Sequence, residues 1–544
     1  MAYYGIPSAA QALTASIGND TVEVANLGGT LVTAQSIYGA DGNDVISLGA
    51  VGTILTGSAT MSGTLNSGDK FSGDIVATVV ASSTRSTSLE FLVSDSGEFV
   101  TGIQFATAST SEQAVRTVNA AYLQGNAGND SIAFGEGVTR ISATTFAGGA
   151  GNDVIGSYKN FNDTWAAAAV EAPIISSNIE GGGGNDTIYI DTEQFSALNV
   201  NANKGDDKVE FAAFSALDNS IIGLGAGNDS FTGDLFKSAA SSTVAGGKGN
   251  DTIDIAITDA NNVVIGGDRA NANPLDGDGN DSIFIADAVI FSGNTIYGGG
   301  GNDTVTFSGD MTASIVSLGA GADVYSANGG AGDAASLYKD TTIGLGAGDD
   351  LLDIRDGTQT DSAVFNLGKG ADSTDFGAAD VGSATDFANT TIYGGAGADL
   401  LLGSATMETT DTVQIDLKYA ANSESTISAY DTVAVDFVNS GTYSFDYRPG
   451  ATRATFSAAG VTATNGVVTF SSNFATDLTA RASAVASNTS DGNAAAFLDG
   501  DGNAYLFVKG SSDNLVVKVG SAASLSAINT LTIGSNTDID VTIS

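Results

Sequence analysis

Aspartate residues recur along the sequence directly after glycine-rich turns, and their surroundings suggest one kind of chemistry. Typical copies read "GGGGNDTIYI" (181–190) and "GGKGNDTIDI" (246–255). In both, glycines precede an Asn-Asp pair and an alternating apolar run follows. Calcium takes six to eight oxygen ligands and accepts main-chain carbonyls beside carboxylates. Glycines that adopt φ > 0 can turn their carbonyls toward such an ion. The repeated turn therefore predicts a row of calcium sites.

The candidate ligands are the aspartate of each copy and, where the motif is complete, its first glycine. The aspartates are Asp20, Asp44, Asp130, Asp153, Asp186, Asp207, Asp229, Asp251, Asp281, Asp303, Asp323, Asp350, Asp372 and Asp399. The first glycines are Gly148, Gly181, Gly246, Gly298 and Gly394. The steps between Asp186 and Asp251 are 21, 22 and 22 residues. We take about 22 residues as the repeating unit, with longer steps containing loop insertions.

Each unit contains the elements of one coil of a β-solenoid. The strand "DTIDIAI" follows the glycine turn, "TDANN" forms a polar turn, and "NVVIGG" leads into the next glycine turn. Alternation directs Ile253 and Ile255 inward and Thr252 and Asp254 outward. A single coil cannot bury its apolar side, but a stack of coils buries all of them. We predict an all-β fold: a right-handed parallel β-solenoid, similar to a β-roll, with about 22 residues per coil.

The turn resembles the G-G-x-G-x-D-x-U-x nonapeptide of RTX (haemolysin-type) calcium-binding proteins, where U is a large apolar residue. Complete matches contain Asp153, Asp186, Asp251, Asp303 and Asp399, and the resemblance covers roughly residues 17–402. In that family, tandem nonapeptides place a calcium turn on both edges of the roll. Here the second turn varies ("FSALDNS", "FSGN"), so we expect one row of ions along one edge.

Stacking places successive aspartates next to each other, so neighbouring turns are expected to share an ion. Asp186 and Asp207, or Asp229 and Asp251, would face the same metal, and folding would be coupled to calcium. The alternative for any single copy is a plain turn, because Asn, Gly and Asp are favoured turn residues. Weak copies such as that at Asp372 suit this alternative best.

Composition excludes several classes of function. The chain has 62 acidic and 19 basic residues, a net charge of −43, and neither His nor Cys. Such a charge disfavours nucleic acid and anionic membranes as partners. Without His or Cys, the common zinc sites, thiol nucleophiles and Ser-His pairs are excluded. No apolar run is long enough for a transmembrane helix, and no Sec-type signal peptide is visible. We expect no enzymatic activity.

The periodicity divides the chain into an N-terminal arm (1–16), the solenoid (17–402) and a C-terminal β domain or cap (403–544), which we expect to be antiparallel. An insertion at about 51–122 is read either as motif-free coils or as a lateral projection, with a hairpin at "SDSGE" and a short helix near "SEQAVRTVNAAYLQG". "DRANANPLD" (268–276) is expected to be a surface loop and "DGDGN" (499–503) a hairpin turn. The C-terminal part is similar to the region of RTX proteins that carries a type I secretion signal.

These expectations favour a calcium-dependent structural protein, secreted to the cell surface or extracellular matrix. RTX-type surface-layer (S-layer) proteins are similar in composition. By that resemblance the chain would assemble with itself into an S-layer lattice or filament, and cell-surface polysaccharide is a further candidate partner. The alternatives are a surface adhesin or motility protein, and a phage fibre protein.

Overall fold

A computed structural model describes short strands before residue 140, given below, and most of the chain after it. The later described ranges are 140–157, 173–192, 194–211, 216–267, 279–327, 337–354, 359–375, 387–388, 390–407, 415–419, 422–437, 441–447, 451–519, 528–533 and 538–543. Asp20, Asp44, Asp130, the "SDSGE" hairpin turn and the "DRANANPLD" loop lie outside the described residues. The chain forms two compact units, one containing the described residues up to 267 and the other those from 279 onward.

The first unit consists of short strands. They are β1 (Tyr3–Gly5), β2 (Leu13–Thr14), β3 (Thr21–Val24), β4 (Ser36–Tyr38), β5 (Val45–Leu48), β6 (Thr60–Gly63), β7 (Lys70–Ser72), β8 (Thr78–Ala81), β9 (Glu90–Leu92), β10 (Thr117–Asn119), β11 (Tyr122–Ala127), β12 (Ser131–Phe134), β13 (Arg140–Ser142), β14 (Thr145–Ala150), β15 (Val154–Ser157), β16 (Ile174–Ile175), β17 (Asn178–Gly183), β18 (Thr187–Ile190), β19 (Gln194–Ser196), β20 (Asn199–Lys204), β21 (Lys208–Phe211), β22 (Ala216–Asp218), β23 (Ile221–Ala226), β24 (Ser230–Ala240), β25 (Thr243–Lys248), β26 (Thr252–Asn261) and β27 (Val264–Gly266).

These strands stack in parallel, as the solenoid prediction requires. Strands that run into the glycine turns form one sheet, the upstream sheet, together with two strands of the insertion, β7 and β9. Its order is β2, β4, β7, β9, β11, β14, β17, β20, β23, β25, β27. Strands that follow the aspartates form the downstream sheet, which includes β12, β15, β18, β21, β24 and β26. Residue Asn178 pairs with Asn199, and Thr187 pairs with Lys208, so each residue faces its equivalent one coil later. The predicted all-β parallel solenoid is confirmed.

The core follows from the alternation of apolar residues. Ile188 and Ile190 of β18 are buried, whereas Thr187 and Tyr189, which alternate with them, are partly exposed. Parallel register stacks Ile188 on Val209 of the next coil, so like residues form columns. Burial removes each branched side chain from water at a gain of about 1.5–3 kcal/mol, which offsets the entropy cost of ordering the coil.

The second turn of the coil is more regular than its sequence suggests. Its central residue has positive φ in successive coils, for example Ala197 (φ 52°) and Asn219 (φ 50°). A buried hydroxyl follows in many coils: Ser220 Oγ accepts the Leu198 N–H at 3.1 Å and donates to the Asp218 carbonyl at 3.0 Å. The varied sequence of this turn therefore conceals a common backbone shape and a ladder of hydroxyl groups.

The N-terminal segment and the insertion contribute strands to the stack. Strands β1 and β2, within the segment expected as an arm, pair in parallel with β3 and β4. Strands β7 and β9 of the insertion continue the upstream sheet between β4 and β11. These pairings continue the parallel stack, as motif-free coils would. In the segment expected to contain a short helix, the described residues belong to β10 and β11.

The second unit continues the same coil design and ends in a cap. Its strands are β28 (Ser282–Ser292), β29 (Thr295–Gly300), β30 (Thr304–Thr312), β31 (Ile315–Ala320), β32 (Val324–Ala327), β33 (Leu337–Lys339), β34 (Thr342–Ala347), β35 (Leu351–Ile354), β36 (Gln359–Asp361), β37 (Val364–Lys369), β38 (Ser373–Asp375), β39 (Phe387–Ala388), β40 (Thr390–Tyr393), β41 (Leu400–Met407), β42 (Ile415–Tyr419), β43 (Asp431–Phe437), β44 (Gly441–Tyr447), β45 (Thr452–Arg453), β46 (Phe456–Ala458), β47 (Val461–Thr464), β48 (Val467–Phe470), β49 (Asn493–Leu498), β50 (Ala504–Val508), β51 (Leu515–Val519), β52 (Ile528–Ile533) and β53 (Asp538–Ile543). A 3-10 turn (Asn422–Glu424) and one helix, α1 (Leu478–Asn488), complete it.

Parallel stacking extends beyond residue 402, where the glycine turns end. Strand β41 pairs in parallel with β43, and β42 pairs in parallel with β44. The cap then adds strands to both sheets: β51 lies parallel to β43, and β53 lies antiparallel to β44. These added strands satisfy backbone groups that would otherwise form two open edges.

The cap has its own core, built on the antiparallel strands β49, β50 and β51. Helix α1, which begins after the N-cap Asp477, packs Ala482 and Val485 onto this sheet together with Phe497 and Phe507. The "DGDGN" segment is the hairpin loop between β49 and β50, as predicted, and Asp499 Oδ1 accepts the N–H groups of Asp501 and Asn503. No helix among the described residues is long and apolar enough to cross a membrane.

Candidate metal centre

The predicted aspartates lie in register at one turn of the coil and form a buried column in each unit. The column contains Asp153, Asp186, Asp207, Asp229 and Asp251 in the first unit, and Asp281, Asp303, Asp323, Asp350, Asp372, Asp399 and Asp431 in the second. Their exposed fractions lie between 0 and 3%. The turn therefore points its carboxylates into the coil and away from solvent.

One oxygen of each carboxylate joins neighbouring coils. Asp186 Oδ1 accepts the N–H of Asp153 at 2.7 Å, and Asp207 Oδ1 accepts the N–H of Asp186 at 2.7 Å. The same bond recurs along both columns at 2.7–3.0 Å. Each carboxylate thus satisfies a buried N–H of the preceding coil, which would otherwise be unpaired at a cost of about 1–3 kcal/mol.

Where the residue before the aspartate is Asn or Asp, its side chain forms a second ladder that runs in the opposite direction. Asn152 Oδ1 accepts the N–H of Asn185 at 2.8 Å, and Asn185 Oδ1 accepts the N–H of Asp206 at 3.0 Å. Here the side chain serves the following coil. The Asn-Asp pair therefore joins each turn to both of its neighbours. This structural role needs no metal.

The glycines of the turn are required by close stacking. Gly182 and Gly184 have φ of +119° and +122°. A Cβ on Gly182 would lie 1.9 Å from the Gly149 carbonyl oxygen, and one on Gly184 would lie 2.2 Å from the Gly151 carbonyl oxygen. By contrast, a Cβ on Gly183 would have nothing within 4 Å. A side chain would therefore collide with neighbouring atoms at two of the four positions in "GGGG". Gly181 is a third such position, because it lies against the Asp186 carboxylate.

The second carboxylate oxygen has no hydrogen-bond donor in several coils. This holds for Oδ2 of Asp186, Asp207, Asp229, Asp323, Asp350, Asp372 and Asp399. A Cβ on Gly181 would lie 2.6 Å from Asp186 Oδ2 and 2.6 Å from the Ala202 carbonyl oxygen of the next coil. The first glycine therefore leaves room where a carboxylate oxygen and a main-chain oxygen come together.

Burial makes these carboxylates unusually basic. Desolvation raises the pKa of Asp186 and of Asp372 from 3.8 to about 7, and that of Asp399 to about 8. It raises the pKa of Asp207, Asp229 and Asp323 to about 6. The backbone hydrogen bonds oppose this shift, whereas neighbouring carboxylates add to it for Asp186. The ionised column is thus costly near neutral pH unless positive charge compensates it.

The donor set suits calcium better than other biological metals. Oxygen is the only ligand element present, and carboxylates alternate with main-chain carbonyls, which calcium accepts. Among the described residues, no cluster of three or more acidic, His or Cys side chains is placed to hold a metal. Any ion would therefore take one or two carboxylates and complete its shell with carbonyls or water. Magnesium, which requires a rigid octahedron, is disfavoured.

The coils are of two kinds according to the first motif position. Gly148, Gly181, Gly246, Gly298 and Gly394 occupy it in the complete motifs. Ala202, Leu224, Leu318, Leu345 and Leu367 occupy it in the others, and all five are buried. In the complete motifs the glycine has no side chain against the carboxylate oxygen, whereas in the partial ones a buried alanine or leucine occupies this position.

All the sequence-predicted aspartates from Asp153 to Asp399 lie in the two columns. The sequence analysis missed Asp431, which takes the next place after Asp399 without a glycine turn. The signal that could have found it is the "DTVAV" run (431–435), which repeats the Asp-Thr-apolar alternation of "DTIDI". It also missed the Asn ladder, visible as the Asn or Asp that precedes the aspartate in most copies of the motif.

No protein-family model matches the chain, and no curated protein or solved structure gives a match.

Proposed function

We propose that this chain is a calcium-dependent structural protein of the cell surface or extracellular matrix, which assembles with itself into an S-layer lattice or filament. The observation that carries the proposal is the column of buried aspartates with donor-free oxygens, of which Asp186 is an example. Calcium ions along this edge would neutralise the column, and the stacked coils would supply the scaffold.

Electrostatics supports a bound cation. Two ionised carboxylates one strand spacing apart, about 4.8 Å, repel each other by roughly 3 kcal/mol at an effective dielectric constant of about 20. The ion pairs Lys208–Glu210 and Lys339–Asp361 lie on partly exposed strand positions and do not involve the column aspartates. Soluble calcium at millimolar concentration is available outside cells, where sites of modest affinity are filled.

A structural role suits the distribution of residues. Coils account for most of the described chain, and the chain has no His or Cys with which to perform common acid-base or thiol chemistry. Ile221 and Ile315, on outer faces of the upstream sheet, are 56% and 52% exposed. Contact with another protein surface would cover these two apolar side chains.

The proposal is tested by the assembly state of the full chain in calcium and in chelator. We expect large ordered assemblies, visible by electron microscopy and sedimentation, in millimolar calcium, and smaller species after chelation. Equal magnesium is the control and should not support assembly. A chain that binds calcium and yet stays monomeric in millimolar calcium would overturn the self-assembly proposal.

An adhesin that binds cell-surface polysaccharide is the second candidate. A shallow groove of about 690 Å³ crosses the outer face of the upstream sheet, lined by residues that include Asn201, Asn203, Lys204, Gly223 and Lys248. The amides can hydrogen-bond sugar hydroxyls, and the lysines can pair with acidic sugars. Binding of an acidic polysaccharide that Lys204→Ala and Lys248→Ala abolish would favour this function over the lattice.

A further inference from the structure

The aspartate column of the second unit ends at Asp431 with a hydrogen bond that differs from the repeated one. Asp399 donates its N–H to Asp431 Oδ1 at 3.0 Å, the same bond that joins the coils before it. The N–H of Asp431 is accepted not by another carboxylate but by Ser425 Oγ at 2.8 Å. Ser425 Oγ in turn donates to the Val516 carbonyl of the cap strand β51. A serine hydroxyl thus takes the place of the next carboxylate and connects the column to the cap.

Two carboxylate oxygens come together at this end. A Cβ on Gly394 would lie 3.1 Å from Asp399 Oδ2 and 3.3 Å from Asp431 Oδ2. For the other complete motifs whose first glycine is described, the nearest atoms include one carboxylate oxygen and a carbonyl. Asp399 is 1% exposed and its Oδ2 has no hydrogen-bond donor. Asp431 is 0% exposed. The first glycine of the last motif, Gly394, therefore lies beside two carboxylate oxygens, whereas the other first glycines lie beside one.

The cap covers this pair directly. Asp431 is the first residue of β43 and pairs with Val517 of β51 in parallel register. The Asp399 carbonyl accepts the N–H of Thr432 at 2.7 Å, so both aspartates are fixed by the strands that the cap contacts. Uncompensated charge at this point would act against the docking of β51 on the stack.

We propose that Asp399 and Asp431 form a terminal calcium site beside Gly394, which holds the cap on the last coil. Asp399 belongs to the repeated motif, but Asp431 does not, so this site is distinct in its ligands from those of the array. Two carboxylates neutralise one divalent cation, and main-chain oxygens or water complete the calcium shell. The inference rests on the proposed calcium binding and adds that one ion controls the cap.

The test measures hydrogen exchange of β51 amides in the full chain, with calcium alone as the ligand and with chelator. We expect removal of calcium to speed exchange in β51 at least tenfold. Asp431→Asn keeps an oxygen that can accept the Asp399 N–H but removes the charge. It should bind one calcium fewer by titration calorimetry and show fast β51 exchange even in calcium. Asp491→Asn, an exposed cap residue with the same change of charge, is the control.

A second variant keeps the test valid if Asp431→Asn folds poorly. Gly394→Ala places a methyl group between the two oxygens and should reduce calcium protection of β51. Gly344→Ala is its control, because a Cβ there meets only the Val316 carbonyl oxygen at 3.9 Å. Unchanged stoichiometry and protection in both site variants would overturn the terminal site. If the wild-type chain itself binds no calcium, the proposed function is overturned as well.

Discussion

At the residue scale, a column aspartate such as Asp207 has two separable tasks. Its Oδ1 accepts the buried N–H of Asp186 in the preceding coil, whereas its Oδ2 has no hydrogen-bond donor and is the oxygen that we propose binds a cation. The first task explains why the position is aspartate even if no ion is bound. The second explains why burial of a charged group is tolerated. Two substitutions at one position distinguish them.

Asp186→Ala removes both tasks, and Asp186→Asn removes only the charge. We expect Asp186→Ala to destabilise its coils by about 1–3 kcal/mol with or without calcium, because the Asp153 N–H loses its acceptor. Asp186→Asn should be as stable as the wild type or more stable in chelator at pH 8, but gain less from calcium. Native-state hydrogen exchange of β15 and β18 in the two conditions measures both effects. Equal losses for the two variants in chelator would contradict this division of roles.

The raised pKa values give the metal-free chain a defined pH dependence. Folding raises the pKa of Asp186 from 3.8 to about 7 and that of Asp399 to about 8. A raised pKa means that the folded state binds protons more tightly than the unfolded state does. Protonation therefore stabilises the fold, fully below about pH 4, and this stabilisation is lost as pH rises through 6–8. Unfolding midpoints measured in chelator should therefore fall between pH 5 and pH 8.5. Saturating calcium should remove most of that fall, and a rise with pH in chelator would be incompatible with the buried column.

At the scale of elements, the coil is the part of the structure that sequence predicted best. The 22-residue spacing and the alternation around Ile253 are local signals, and both follow from stacking in register. The second turn was read as free because its key residues, such as Ala197 and Ser220, are common types whose backbone shape leaves no distinctive pattern. Helix α1 was missed because "LTARASAVASN" is short and rich in Ser and Ala. Asp431 was missed because its partners, Ser425 and β51, are brought together only by the fold.

The glycine run "GGGG" provides a stringent test of coil geometry. Gly184→Ala forces a side chain into positive φ and against the Gly151 carbonyl, so we expect a loss of about 1–3 kcal/mol from strain, and more from the contact. Gly183→Ala, one residue earlier, has open space and should be neutral or slightly stabilising. Chemical denaturation of the two variants, with circular dichroism as the readout, compares them. Similar losses would mean that the turn does not have the described backbone.

At the scale of the whole molecule, charge is the dominant property. A net charge of −43 gives long-range repulsion that any cation can screen. The buried column is different, because its carboxylates lie away from solvent and need a proton or a bound ion to neutralise them. These two effects respond differently to salt. They also bear on assembly, because two copies with this charge repel each other until cations are bound.

Sodium chloride and calcium should therefore stabilise the chain to different extents. We expect 0.5 M NaCl to raise the unfolding midpoint in chelator modestly, because exposed charges are screened over about a few ångströms at that ionic strength. Millimolar calcium should give a larger increase at an ionic strength too low for screening to explain. Thermal melts across both titrations measure this. A calcium effect that NaCl of equal ionic strength reproduces would point to screening alone.

The direction of the aspartate ladder has a consequence for the order in which the second unit folds. Each carboxylate completes the turn before it, so a turn in mid-array stays incomplete until the next coil has formed. Asp431 is different, because its N–H is accepted by Ser425, only six residues away along the chain. We therefore expect the last coil to form early and the aspartate ladder to extend from it toward the N-terminus, opposite to the order of synthesis. Pulse-labelled refolding in calcium should protect β43 before β28. During synthesis, the second unit would then lack this nucleus until Asp431 had been made, so its earlier coils would wait for residues that follow them in the chain.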